Sequence, residues 1–256
     1  MQTSQEIENV KGEKKFHFEW VLPVFIHPKK TIEKIIEQEK PVWLTPLVVL
    51  SGLILLAGLI AGPIRREAIV TGASMPADFQ YYSTDQQSQF LSAQSTQSSS
   101  LFTVIFPIIG GLLGLWITWF LLSAILHMSL TLAGSRTKSL RFYNLVGWAM
   151  LPIAVRQIVQ ILAMLIGHSV VNHPGFSGFV TGTGGAAFLS GILGQIDVYF
   201  LWELALLYLG VHALSGLSPR KASGALAVSV LIVVLLAAVP KLISGMLSGL
   251  SLGGFF

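Results

Sequence analysis

The chain has 256 residues, of which 53% are hydrophobic and only 11% are charged, and its mean hydropathy is +0.71. This balance excludes an ordinary soluble domain and indicates an integral membrane protein. The formal net charge of +4 does not indicate nucleic-acid binding, because the basic residues are distributed between loops in the way that orients a membrane protein. The chain has no cysteine, so disulfides and thiolate metal sites are excluded.

Just before the first apolar segment, the sequence predicts an amphipathic helix that starts near Pro28. Three isoleucines form one apolar stripe, two lysines lie on another face, and two aromatic residues precede the helix. We expect the helix to lie at the cytoplasmic interface of the membrane with the aromatic residues dipping into the bilayer; the alternative is a solvated helix packed on the membrane domain. The residues concerned are Trp20, Phe25, Lys29, Lys30, Ile32, Ile35 and Ile36.

Five apolar segments then follow, each long enough to cross a bilayer, for which about 20 residues are needed. They predict an all-α fold, a polytopic membrane protein with a five-helix transmembrane bundle. The domains are a cytoplasmic segment at 1–40 with its amphipathic helix and a transmembrane domain at 41–256, in which the stretches 63–100 and 168–190 are expected to be loops. The predicted spans are at about 42–62, 101–132, 142–167, 192–214 and 223–247.

Two of the predicted spans carry glycines four residues apart, Gly58 and Gly62 in the first and Gly110 and Gly114 in the second. This spacing is typical of close helix contacts in membranes. We therefore expect these faces to pack against other helices, and they are also compatible with a homodimer.

The lysines and arginines predict the orientation of the bundle. Twelve lie in the N-terminal segment and in the loops at 134–141 and 217–221, whereas three (Arg65, Arg66 and Lys241) lie on the other side and Arg156 lies within a span. Because cytoplasmic loops carry the excess of basic residues, we expect the N-terminus in the cytoplasm and the C-terminus outside.

Arg156 lies deep in the predicted third span. An isolated arginine at the bilayer centre costs roughly 2.5–3.5 kcal/mol on insertion scales, so such a residue normally points inward and has a partner. Asp197 and Glu203 are the acidic residues inside the predicted spans. Counted from the outer ends of their spans at Gly167 and Ile192, Arg156 and Glu203 are both eleven residues deep, or about 16 Å from the outer edge.

We therefore predict an Arg156–Glu203 ion pair, with Tyr199 as a third member and with Asp197 nearer the outer surface, beside Gln160 or water. Two meanings remain open for this intramembrane polar cluster. It fixes the packing of the helices, or it marks the path of an ion or substrate.

Short strings in the second outer loop resemble those of rhomboid proteases: HSVVN at 168–172 and GFSG at 175–178. They are adjacent in one loop here, and His212 is expected across the bilayer from Ser177, so no Ser–His hydrogen bond can form between them. His168 and His173, even with Asp197, are a weak metal-ligand set. We therefore predict no catalytic residue, no metal and no cofactor.

Three stretches together resemble the Yip1 domain family: HPKKTIEKI (27–35), AGSRTKSLRFYNLVGWAMLP (133–152) and DVYFLWELALLYLGVHALSGLSPRKA (197–222). The resemblance covers about residues 20–240 and implies a five-span topology with the N-terminus inside. It implies a non-enzymatic integral membrane protein, similar to the bacterial branch of the family and located in the bacterial cytoplasmic membrane. Eukaryotic relatives bind prenylated Rab GTPases, but this chain lacks their D-L-Y-G-P string, so we do not expect Rab binding.

The function that we expect is a membrane scaffold that binds other membrane proteins or shapes lipid, using the amphipathic helix and the basic cytoplasmic side. The alternative is a small transporter or channel whose path passes Arg156, Glu203 and Asp197.

Overall fold

The computed structural model describes residues 15–71, 76, 78–182 and 184–253, the last seven by their backbone alone. In this part of the chain the regular structure is helical throughout. The α-helices are α1 (Val21–Ile26), α2 (Pro28–Ile36), α3 (Leu44–Val70), α4 (Thr84–Gln97), α5 (Phe106–Leu132), α6 (Ser139–Ala149), α7 (Leu151–Gly167), α8 (Gly185–Leu193), α9 (Val198–Leu214) and α10 (Pro219–Gly253).

Within the described residues, four helical segments are long and apolar enough to cross a membrane: α3, α5 with the turn that precedes it, α6 continued by α7, and α10 as far as Met246. Helices α8 and α9 pass the same test together, although they meet at an angle of 64°. The described part of the chain therefore has four spans, or five if α8 and α9 together form one, which confirms a polytopic all-helical membrane protein.

Helix α3 is longer than the sequence predicted. It continues through Pro63, where the missing N–H removes one helical hydrogen bond, and ends at Val70. The extra turns are held from outside the helix: Arg65 Nη1 donates to the Thr103 carbonyl at 3.1 Å, and Gln94 Nε2 donates to the Ile69 carbonyl at 2.7 Å. The stretch 63–100 is thus not a loop, and much of it folds as the end of α3 and as α4.

The first predicted pair of glycines packs as expected. A Cβ atom on Gly58 would collide with Ile108, and one on Gly62 would collide with Val104, so both glycines allow α3 to approach the start of the second span. Gly110 and Gly114 differ, because a Cβ atom on either would have no neighbour within 4 Å in the described part of the chain. That face of α5 is open.

The N-terminal segment is bound tightly to the start of the third span. The fully buried amide of Asn144 accepts from Val42 N and donates to the Lys40 carbonyl, both at 2.9 Å. Trp148 Nε1 donates to the Val42 carbonyl at 2.9 Å, and its ring lies 5.7 Å from that of Trp20. These bonds fix the chain just before α3.

The apolar stripe of α2 packs against other helices of the protein. Its isoleucines Ile32, Ile35 and Ile36 are at most 5% exposed and pack toward α6 and α9, whereas Lys29 and Lys30 remain exposed. Trp20 is also buried, and the Phe25 ring contacts Trp202 edge-on at 5.2 Å. The apolar stripe therefore belongs to the protein core, and the location of α2 at the membrane interface stays a prediction.

Two further contacts show that the loops after α5 and α9 lie beside this segment. Thr137 Oγ1 donates to the Leu214 carbonyl at 2.7 Å, and Lys138 Nζ lies 3.4 Å from Glu39 Oε1. We call this end of the bundle the basic face and define it by its exposed basic residues, Lys29, Lys30, Arg136, Lys138, Arg220 and Lys221. The other end, which carries α4 and the loop 168–184, is called the opposite face.

Candidate functional site

The polar cluster is built around a break in the fourth span. Residues 194–197 separate α8 from α9, so the predicted span 192–214 is not one continuous helix. Gln195 Nε2 donates to the Val234 carbonyl at 3.2 Å. Val234 lies fifteen residues beyond Pro219, or about 22 Å from the basic-face end of α10 at 1.5 Å per residue. Since a hydrocarbon core is about 30 Å thick, the break lies within the apolar depth of the bundle.

Arg156 pairs with Asp197 at this break. Arg156 Nη2 donates to Asp197 Oδ1 at 2.7 Å and to the Gln195 carbonyl at 3.5 Å, and both charged side chains are 18% exposed. The same carboxylate oxygen accepts from Phe200 N at 2.9 Å, so Asp197 also caps the N-terminus of α9. One carboxylate thereby neutralises the arginine and starts the helix.

The predicted Arg156–Glu203 ion pair is therefore wrong. The depth count assumed a straight helix whose outer end was Ile192, but α9 begins at Val198. Because the break comes first, Asp197 rather than Glu203 lies beside Arg156. A glycine followed by an N-cap residue ahead of an apolar run, here Gly194 and Asp197, is the sequence signal that marks such a helix start.

A neighbouring loop closes the break. Phe176 N donates to the Leu193 carbonyl at 2.9 Å, which satisfies an acceptor at the end of α8. Gly175 has φ of 56°, and a Cβ atom there would lie 2.6 Å from the Ile196 carbonyl oxygen and 2.7 Å from that of Leu193. Only glycine fits this close approach without displacing the backbone.

Glu203 lies inside the bundle, 6% exposed, without a described ion pair to Arg156. Both side chains line a cavity of about 90 Å³ between α5, α7, α9 and α10, and Gln195 lines it too. Most of the remaining wall is apolar. This space has room for water, which could hydrogen-bond to the carboxyl group of Glu203. The cavity therefore brings Arg156 and Glu203 into one chamber without direct pairing.

The other two predicted members lie apart from the ion pair. Gln160 lines a separate cleft together with Gln157, on another side of α7 from Arg156. Tyr199 is half-buried, and its hydroxyl group has no hydrogen-bond partner among the described residues. Gln195, which the sequence analysis missed, takes a larger part, because its amide joins α8 to α10 by donating to the carbonyls of Gly191 and Val234.

The protease-like strings have local roles. Ser177 Oγ is buried and donates to the Pro174 carbonyl at 2.7 Å, within its own turn. His212 lies 2.8 Å from the Tyr208 carbonyl and 3.3 Å from Ser223 Oγ, near the basic face. Among the described residues, no group of three or more His, Cys, Asp or Glu side chains is arranged to hold a metal ion.

A family model of the Yip1 domain matches residues 22–239. The chain belongs to the Yip1 domain family. The match begins in α1 and ends in α10. The Yip1 domain therefore includes every helix that forms the polar cluster, and it includes Asn144 and Trp148, whose hydrogen bonds hold the N-terminal segment. Comparison with curated proteins and with solved structures gives no match.

The loop that closes the break in this Yip1 domain is tested by Gly175→Ala. We expect it to lower the free energy of unfolding by clearly more than the roughly 1–2 kcal/mol that left-handed backbone costs a residue with a Cβ atom, because the added methyl also meets two carbonyl oxygens. The measurement is unfolding of the purified protein in detergent.

The matched control is Gly216→Ala, which has a similar φ of 64° but no atom within 4 Å of the added Cβ. Equal losses in the two variants would show that the contact with the break contributes nothing.

Proposed function

We propose that this Yip1-family protein is a non-enzymatic scaffold of the cell membrane that binds other membrane proteins through the basic face. We further propose that this face lies in the cytoplasm, since it carries the excess of lysine and arginine that orients membrane proteins. The observation that carries the proposal is a surplus of exposed positive charge on a surface that buried hydrogen bonds hold in place.

The charge of this surface is strongly biased. In the described part of the chain, the N-terminal segment through Lys40 and the loops that join it hold ten basic and four acidic residues, whereas the opposite side of the spans holds three of each. Such a bias attracts acidic protein segments and raises their association rate. We therefore expect a partner with an acidic segment next to its own membrane span.

The surface is also preorganised. Helix α2 is anchored by its buried isoleucines, and Lys34 Nζ lies 4.9 Å from the centre of the Trp20 ring, where the ring attracts the cation. The bonds of Asn144 and Trp148 fix the chain that follows. A surface held in this way loses little conformational entropy when a partner binds, which favours affinity.

An apolar edge flanks the charged surface. Phe18, Leu22 and Ile26 follow one another at four-residue intervals and are 55%, 65% and 58% exposed. Phe18 lines a groove together with Val48 and Gly52 of α3, so a neighbouring membrane helix or the lipid interface would cover this edge. The combination of a basic surface and an apolar edge suits a partner that is itself embedded in the membrane.

Crosslinking in cells tests the scaffold. A photo-crosslinking residue at Lys30, Arg136 or Lys221 is expected to capture one partner protein in near-stoichiometric yield, while the same residue at Gln89 in α4 on the opposite face does not. Reversing two charges, Lys29→Glu with Lys30→Glu, should lower the yield about five- to thirtyfold, as expected for the loss of two surface ion pairs of about 0.5–1 kcal/mol each. Only self-crosslinks at all positions would contradict the proposal.

A transporter or channel is the second candidate, and the broken fourth span favours it. Discontinuous helices at membrane depth form the substrate sites of many transporters. In this structure, however, buried apolar side chains lie between Glu203 and the basic face, among them Leu207, Val211 and Leu126, each at most 1% exposed. That packing supports the scaffold.

Water accessibility separates the two candidates. Because the chain has no cysteine, Leu204→Cys places a single thiol at the cavity wall, and Gln89→Cys places one on exposed α4 as a control. For a packed scaffold, we expect a membrane-impermeant maleimide to label the first thiol at least tenfold more slowly than the second. Comparable labelling, together with ion flux that Glu203→Gln abolishes, would favour a transport path.

A further inference from the structure

A second recess in the protein is a cleft of about 390 Å³ between α3, α5 and α7. Helix α5 packs mainly on α6 and α10, and α7 packs mainly on α3 and α9, so α5 and α7 form the two walls and α3 forms the floor. On α7 the cleft extends from Ile153 to Met164, or about 16 Å along the helix. The α5 wall includes Gly111, which packs closely against Ile54 of α3, and Gly114, beside which there is open space.

Two amides face this cleft at membrane depth. Gln157 and Gln160 lie three residues apart on α7, and both line the cleft. The side-chain amide of neither residue has a hydrogen-bond partner among the described residues. An amide side chain in an apolar environment without a partner costs at least about 1–3 kcal/mol. The cleft therefore offers hydrogen-bond donors to a ligand that enters from the bilayer.

A cation lies at the mouth of the cleft. Arg65 is twenty-one residues beyond Leu44, or about 32 Å along α3, and thus near the far boundary of a hydrocarbon core about 30 Å thick. Its Nη1 donates to the Thr103 carbonyl, which leaves guanidinium donors free to bind an anion. Arg65 and Val170 also line the adjoining outer cavity of about 620 Å³, with His168 and Asn172.

We propose that this cleft binds one anionic phospholipid of the leaflet opposite the basic face. The phosphate binds Arg65, an ester oxygen accepts from the Gln160 amide deeper in the cleft, and one acyl chain lies along the open wall at Gly114. Glu67 also borders the outer cavity, so a headgroup with a single negative charge fits better than a highly charged one. This inference concerns the opposite face and does not depend on the scaffold proposal.

The order of the groups along the membrane normal supports a lipid. A phospholipid presents its phosphate, its ester oxygens and its acyl chains in that sequence from the surface inward. The cleft presents a guanidinium, an amide and a wall of small and apolar side chains in the same sequence. Charge and polarity are therefore complementary at each depth.

Native mass spectrometry of the full-length protein purified in mild detergent tests the proposal, with phosphatidylglycerol as the probe and phosphatidylcholine, which is zwitterionic and has no net charge, as the comparison. We expect one phosphatidylglycerol to be retained, and at least fivefold less phosphatidylcholine at the same concentration. Arg65→Gln should lower the retention of phosphatidylglycerol at least fivefold, whereas Arg66→Gln, its exposed neighbour, should leave it unchanged.

A second pair of variants tests the cleft itself without removing a charge. Gly114 lines the cleft whereas Gly110, one turn away, does not, and a Cβ atom at either position has no described neighbour within 4 Å. Gly114→Leu is therefore expected to block lipid retention, and Gly110→Leu to preserve it, with both proteins folded. If Arg65→Gln fails to fold, the comparison of Gly114→Leu with Gly110→Leu still tests whether lipid binds in the cleft. Equal retention in Gly114→Leu and Gly110→Leu, or equal binding of the two lipids, would overturn the proposal.

Discussion

The ion pair between Arg156 and Asp197 is the interaction on which the transmembrane bundle depends. It neutralises a guanidinium that would otherwise be unpaired at membrane depth, and it supplies the N-cap of α9 at a point where the chain is not helical. Non-helical backbone is tolerated within a bilayer only where protein covers it and satisfies its polar groups. Around this break, Arg156, Gln195 and the loop at Gly175 do so together. Removing one partner leaves the other charge unpaired at membrane depth, so loss of either charge should loosen the fourth span.

The third span joins this interaction to the other end of the molecule. Asn144 in α6 holds the N-terminal segment, and Arg156, twelve residues later in α7, holds the break in the fourth span. One span thereby fixes both the basic face and the interior of the bundle. The same span also forms one wall of the cleft that Arg65 borders. It therefore contributes to the basic face, to the break and to the cleft.

Much of this architecture is predictable from the sequence, and the exceptions have physical causes. The apolar segments, the membrane class and the need of Arg156 for an acidic partner follow from composition and from the cost of an unpaired charge in lipid. The choice of partner does not follow from a depth count, because a break at residues 194–197 changes every depth beyond it. The amphipathic stripe of α2 is equally suited to lipid and to protein, so the pattern alone could not place Ile32 and Ile35 in the core. Helix α3 extends past Pro63 because contacts distant in sequence, such as Arg65 with Thr103, stabilise it.

A double-mutant cycle on the unfolding free energy tests the central claim most directly. The variants are Arg156→Gln, Asp197→Asn and their combination, with a parallel cycle for Arg156→Gln and Glu203→Gln. Asparagine retains the N-cap, so the first cycle isolates the charge interaction. Direct pairing at 2.7 Å predicts a coupling energy of about 1–3 kcal/mol between Arg156 and Asp197, and a clearly smaller one between Arg156 and Glu203. A coupling to Glu203 equal to or larger than that to Asp197 would contradict this account.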